Sequence, residues 1–337
     1  MLKRILNRFL GALPFSVVRH LSGEKLAAPF YHAVTDEPLP HIRHLFRARS
    51  LQAFEKDLDF FLKEFHPISL EDLLNHVRRG TPLPPNPLFL SVDDGLRENL
   101  RTVAPLCIRK GIPATFFVNP DFLDNRAMGY RYKASVLIDV ASRLDGPTAA
   151  DVASRIGDAI GVPGLRPSDI PTALLAVTYP QSAVYDRVAK ILQVDFDDYL
   201  RARTPYLSHA ELRELVQSGF AVGAHSLDHP RFAEIPFDEQ LRQTRLSIQA
   251  IQNDYPSPCR SFAFPFGSDG VSEAFFDTVL GDGTADLLFC VGRIAKPGPR
   301  TIPRFWMEAV PGTDAREMFR NSYRQQVKSR LLSLARR

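Results

Sequence analysis

Leu88-Phe-Leu-Ser-Val-Asp-Asp-Gly95 decides how the rest of the chain is read. Apolar and β-favouring residues run together here, after a connector that holds four prolines between Thr81 and Pro87. That pattern reads as a short buried strand. The strand ends in Asp93 and Asp94, and like charges side by side are costly unless a cation or hydrogen-bond donors compensate. Gly95 lets the chain turn sharply beyond them. One reading is a turn closed by an aspartate cap. The other is a reactive site, because α/β proteins collect their chemistry at the carboxyl ends of strands.

Working outward, a helix is expected from about Asn99 to Lys110 and a strand over Ala114–Val118, which makes a βαβ unit with parallel strands. Upstream, Leu26–Val34 is a first strand that runs into Tyr31-His32. Helices follow over Ser50–Phe65 and Ile68–Gly80, with Ser50 and Ser69 as N-caps. Downstream, about 121–205 is helical in pattern and reads as an inserted cap over the strand ends. The strand pattern resumes at Phe220–Ala224, which leads into His225-Ser-Leu-Asp-His229. It continues at Arg260–Gly267, Leu287–Val291 and Arg300–Met307, with a long helix over Phe237–Asp254.

A chain of 337 residues that is 45% hydrophobic can bury a full core. A net charge of +4, without a basic block in the central chain, gives no footprint for nucleic acid; the aromatics are core-like and not interleaved with charge. Cys107, Cys259 and Cys290 make neither a disulfide framework nor a Cys-x-x-Cys site, which suits a reducing compartment. The first 25 residues carry a basic amphipathic helix ended near Pro14. It reads as a helix packed on the domain, one lying on an anionic membrane, or a secretory leader. The basic helix in 311–337 reads as a solvated terminal helix, with a membrane surface as the alternative. His41 and His44 are expected at the surface. The expected location is cytoplasmic, with peripheral membrane contact through the basic ends as a variant.

His225 and His229 stand four apart at a strand end. Neutral imidazoles suit zinc and similar divalent ions. The zinc-protease pattern does not apply, because Ser226 follows the first histidine and the segment is not helical. Two imidazoles and one aspartate make a facial set of three ligands with open positions for water and substrate. The second aspartate is left over as a general base.

Ser91-Val-Asp-Asp-Gly95, His225-Ser-Leu-Asp-His229 and Phe262-Ala-Phe-Pro-Phe-Gly267 resemble, in that order, the three main motifs of the polysaccharide deacetylases. These are the NodB-homology family of metal-dependent carbohydrate esterases. The likeness covers about 29–307, less the insertion. It implies a distorted (β/α) barrel over about 26–310. Asp94, His225 and His229 would hold one divalent metal, Zn2+ by ligand type, with Co2+, Ni2+ or Mn2+ admitted. Asp93 would activate water at the metal, and the backbone near Pro265, Phe266 and Gly267 would stabilise the oxyanion. The implied substrate is an N-acetylated amino-sugar glycan. Most members carry the acid histidine near the C-terminus, yet this chain has no histidine after His229. Tyr31-His32 resembles the N-terminal Tyr-His motif of the branch that holds the poly-N-acetylglucosamine deacetylases, which makes His32 the candidate acid. Ala263 stands where many members have an arginine that pairs with the base. Arg304 is the candidate replacement, against a surface or structural role. An O-acetyl esterase using the same residues is the alternative enzyme, and a glycan-binding pseudoenzyme the alternative of another class.

Overall fold

Short apolar runs punctuated by proline and glycine fold as short strands, and the amphipathic stretches between them fold as helices. The computed structural model describes residues 13–334, so most of the expected N-terminal amphipathic helix lies outside the described residues. In chain order the elements begin with α1 (Phe15–Ser22), β1 (Pro29–Tyr31), α2 (Leu51–Glu64), β2 (His66–Pro67), α3 (Leu70–Arg79), β3 (Pro87–Leu88) and β4 (Leu90–Val92). Next come α4 (Glu98–Arg101), α5 (Val103–Lys110) and β5 (Ala114–Val118). The inserted stretch holds α6 (Tyr130–Ala141), α7 (Gly146–Ile160), α8 (Ile170–Ala176), α9 (Val184–Leu192) and α10 (Phe196–Arg203). The chain ends with α11 (His209–Gln217), β6 (Ala221–Ala224), α12 (Phe237–Asp254), β7 (Ser261–Ala263), α13 (Glu273–Gly281), β8 (Leu287–Cys290), β9 (Thr301–Pro303), β10 (Phe305–Trp306) and α14 (Ala315–Leu334).

Eight strands form one sheet in the order β10-β1-β4-β5-β6-β7-β8-β9, and every pairing is parallel. β9 and β10 are separated only by Arg304. β9 pairs with β8 and β10 pairs with β1, so one six-residue segment lies along both edges of the sheet. The result is a nearly closed, distorted (β/α) barrel, which leaves no long free edge. Its interior is filled by Ala28, Phe89, Phe117, Ala263 and Phe289, with Phe89 and Phe289 stacked at 4.9 Å. Gly223 faces this interior. A Cβ there would stand 2.4 Å from the Phe117 ring and 2.5 Å from Ser261 Oγ, so the crowded wall admits only glycine.

The inserted helices bury a core of their own around Leu137, Ala153, Ile156, Tyr185 and Val188. Ser69 and Asp72 form a capping box at the start of α3, and Gly80 closes it in the left-handed conformation.

Pro14 stands immediately before α1, and the helix expected to end near it lies outside the described residues. Three expectations need correcting. The helix over 99–110 is broken at Thr102 into α4 and α5. The basic C-terminal helix is not simply solvated, since Met318, Phe319, Tyr323 and Val327 are buried and Phe319 packs on Phe61 and Phe65. His41 is buried, with Nδ1 2.9 Å from the Tyr199 hydroxyl. Burial, with Arg203 nearby, lowers its pKa to about 4.

Candidate active site

Side chains alternate along β1, so Phe30 faces the barrel and Tyr31 the surrounding helices. Tyr31 is fully buried and donates to Asp57 Oδ2 at 2.8 Å. Arg49 holds both oxygens of Asp57, at 2.7 and 2.6 Å. The tyrosine of the Tyr-His pair therefore anchors the strand end, and the next residue, His32, lines a cavity of about 430 Å3. Asp93, Asp94, His225, His229 and Phe266 line the same cavity. β1, β4, β6 and the segment after β7 deliver them from the same end of the barrel.

The backbone bends sharply to do this. Asp94, Ser226, His229 and Phe266 all take the left-handed conformation, with φ of +71°, +64°, +64° and +59°. Such conformations in non-glycine residues cost of order 1 kcal/mol each and persist where the surroundings over-determine them. Here the Ser226 hydroxyl accepts the His229 N–H at 3.0 Å, and the Asn119 side-chain amide donates to the carbonyl oxygens of His225 and Ser226.

Asp94 Oδ1 lies 3.2 Å from His225 Nε2 and 3.0 Å from His229 Nε2. His225 Nδ1 donates to Ala263 O at 2.8 Å, which leaves its Nε2 bearing a lone pair toward Asp94. Asp94 Oδ1 is buried and accepts no hydrogen bond. A buried carboxylate oxygen facing two imidazole nitrogens is badly placed unless a cation sits among them. One ligand atom from each of the three residues lies within 4.8 Å of the others. Burial pushes the Asp94 carboxyl up, but His229 and His225 outweigh it and hold it well below the usual carboxylate range. Burial lowers His229, so its ring is neutral near pH 7. Asp94 and His229 thus present deprotonated ligands, and together with the Nε2 of His225 the set fits a divalent metal.

Asp93 has a different surrounding. Arg304 grips both its oxygens, at 2.7 and 2.8 Å, and also donates to Ser91 Oγ at 3.0 Å. The guanidinium is fully buried, and its Cζ lies 4.3 Å from the centre of the Phe30 ring and 5.3 Å from that of Phe117. Asp93 Oδ2 is 3.9 Å from His225 Nε2, beside the candidate metal position.

Reasoning from the sequence missed Glu308, Tyr132 and Arg131. Buried Glu308 accepts the backbone N–H groups of His32 and Ala33, at 2.6 and 3.1 Å, and its other oxygen lies 3.6 Å from His32 Nδ1. Burial pulls the His32 pKa down, but Glu308, Asp94 and Asp93 outweigh it and leave it raised to about 9. Rings of Phe30, Phe46 and Trp306 surround that imidazole at about 5 Å. The Tyr132 hydroxyl, from α6 of the insertion, donates to Asp94 Oδ2. Burial and Asp94 keep this phenol protonated. In the Pro265-Phe266-Gly267 turn, Gly267 N–H is spent on Pro265 O at 2.6 Å. Phe266 N–H has no protein acceptor among the described residues.

A parallel (β/α) barrel with imidazoles and carboxylates gathered at its strand ends defines the class of NodB-type deacetylase folds. The polysaccharide deacetylase family model matches residues 175–278, which hold both histidines and the Pro-Phe-Gly turn but not the Asp-Asp segment. Over that stretch, less than a third of the chain, the sequence is similar to the polysaccharide deacetylases. No curated protein matches it in sequence. Among solved structures, IcaB from Ammonifex degensii has a TM-score of 0.53 at 16% identity, covering 89% of this chain and 97% of its own. The Streptococcus pyogenes deacetylase PplD, solved in complex with acetate, has a TM-score of 0.55 at 11% identity, over 87% and 96%. A de-N-acetylase from Aggregatibacter actinomycetemcomitans has 0.55 at 13%, over 87% and 99%. At these identities the likeness speaks to the fold.

Proposed function

We propose that the chain is a metal-dependent hydrolase that removes N-acetyl groups from an amino-sugar-containing glycan. The observation that carries this reading is the split between the two acids: Asp93 is paired with Arg304, while Asp94 faces His225 and His229 in the same cavity. A binding module has no need of a spare, oriented carboxylate. The structural neighbours, which include two deacetylases and a de-N-acetylase, support the same class.

A divalent cation on Asp94, His225 and His229, with Zn2+ the best match to the donor set and Co2+, Ni2+ or Mn2+ admitted, would supply Lewis acidity at the acetyl carbonyl and lower the pKa of water. Asp93 takes the proton of the attacking water, while Arg304 keeps both its oxygens in register. Phe266 N–H donates to the oxyanion that develops on the carbonyl oxygen. His32, protonated at neutral pH, gives its proton to the departing nitrogen as the C–N bond breaks, and acetate and a free amine leave. The phenol of Tyr132 holds Asp94 from the side away from its ligand oxygen.

Acetate release from acetylated chitooligosaccharides, measured with and without added metal, tests the reading. Asp93→Asn should reduce turnover by roughly 10²–10⁴-fold, the scale of a lost general base. Activity on a small acetate ester but none on amides would favour the O-acetyl esterase alternative. Binding of the glycan without acetate release would leave a pseudoenzyme.

A further inference from the structure

The cavity carries two cations that the hydrolytic steps do not use. Arg131, from α6, and Arg231, just past His229, both line it. Both guanidinium groups lie over the ring of Phe266, with Cζ at 6.0 and 5.0 Å from its centre. Phe266 itself is 37% exposed, and its ring centre is 4.7 Å from that of His229. The two cations thus stand about one ring beyond the metal position, against an aromatic face open to the cavity.

The charges there do not balance. The two acids among the lining residues are Asp93 and Asp94, and both are engaged, one by Arg304 and the other by the imidazoles. Arg231 shares Glu234 through one contact of 3.3 Å, and the other Glu234 oxygen is taken by the Tyr179 N–H at 2.7 Å. Arg131 donates to Leu175 O and lies 5.0 Å from the Tyr130 ring, but it has no carboxylate partner among the described residues. An arginine has five N–H donors in a fixed fork, more than the Leu175 carbonyl and the Tyr130 hydroxyl can take up. Stacking on aromatic rings fixes where its charge sits but does not neutralise it.

We propose that Arg131 and Arg231, seated on Phe266, form a subsite for an oxyanion on the substrate, so that the preferred glycan carries a carboxylate or phosphate group on or next to the acetylated sugar. The inference rests on the glycan reading above and names the substrate class of that site. A guanidinium fork matches either oxyanion in a bidentate way.

Calorimetric titration of the full-length protein with three probes tests it. These are chitotetraose, which is neutral; a hyaluronan tetrasaccharide, which alternates N-acetylglucosamine with a carboxylate sugar; and N-acetylglucosamine 1-phosphate. At low salt at least one anionic probe should bind roughly tenfold or more tighter than chitotetraose, the scale of a charge-assisted contact at a half-exposed site. The preference should shrink as salt rises. Arg131→Gln should remove it, and Arg131→Lys should keep part of it by preserving charge without the fork. Preference for the tetrasaccharide alone assigns a uronate-type substrate, and preference for the phosphate alone a phosphorylated one. Equal affinity for all three probes, or an anionic preference that survives Arg131→Gln in a folded protein, overturns the subsite and leaves the glycan reading standing. Binding of none of them at millimolar concentration overturns both.

Discussion

Two adjacent aspartates with the same chemistry end up in separate surroundings. Asp93 meets a buried guanidinium in a fork-to-fork pair, and Asp94 meets two imidazole nitrogens. The first pair makes a sharp prediction. Removing one partner of a buried ion pair strands the other charge and costs about 3–5 kcal/mol. Arg304→Ala should therefore lower the unfolding free energy by about that much, read by chemical denaturation. Arg304→Lys keeps a charge but not the two parallel hydrogen bonds. It should unfold closer to wild type while kcat falls by roughly tenfold or more, as expected when the Asp93 carboxylate is displaced from its proposed position. His32 makes a second prediction. If its protonated form is the acid, and its neighbours raise its pKa to about 9, the rate should hold through neutral pH and fall as pH rises through about 9. Burial opposes the rise, and Glu308 contributes most to it. Glu308→Gln should shift the alkaline limb to lower pH, read in a kcat/KM profile. An unmoved limb would detach Glu308 from the acid.

At the scale of elements, legibility followed locality. The strand ends at Asp93-Asp94, His225–His229 and Phe264–Gly267 could be read because the apolar run and its reactive residues are contiguous. Arg304 was named from the missing arginine at Ala263, but its place follows from the β9–β10 segment, which lies along both sheet edges and carries the guanidinium into the barrel between them. Glu308 was not legible, because it is 276 residues from His32 and meets it only through that closure. His41 was misread for the same kind of reason: its burial is made by Tyr199 and Tyr132, which belong to the insertion. Tyr132 shows what a helix-period pattern hides. The pattern marks α6 as a helix with an apolar face, but not that one phenol on it reaches Asp94. Outer hydrogen bonds to metal ligands typically carry 10–100-fold in metal affinity. Tyr132→Phe should thus weaken metal binding by roughly that factor. Competition with a chromophoric chelator would measure it. Unchanged affinity would reduce the hydroxyl to a packing role.

For the molecule as a whole, the three candidate ligands come from two separate stretches, Asp94 after β4 and the histidines after β6, with β5 between these strands in the sheet. The unfolded chain has no such site, so metal affinity adds directly to folding stability. At a free metal concentration about a hundred times Kd, linkage supplies about 2.7 kcal/mol. Adding Zn2+ to chelator-treated protein should therefore raise Tm by several degrees, a shift that grows with the logarithm of metal concentration. Asp94→Ala should lose most of this response, because it removes the only carboxylate of the set. Asp93→Asn should keep it, since Asp93 is paired with Arg304 and not counted among the ligands. A metal response that vanished in Asp93→Asn and persisted in Asp94→Ala would reverse the two roles. Because Tyr132 ties α6 to Asp94, metal should also protect the inserted helices from proteolysis in parallel with the barrel. Protection confined to the barrel would mean that the insertion opens independently of the site it borders.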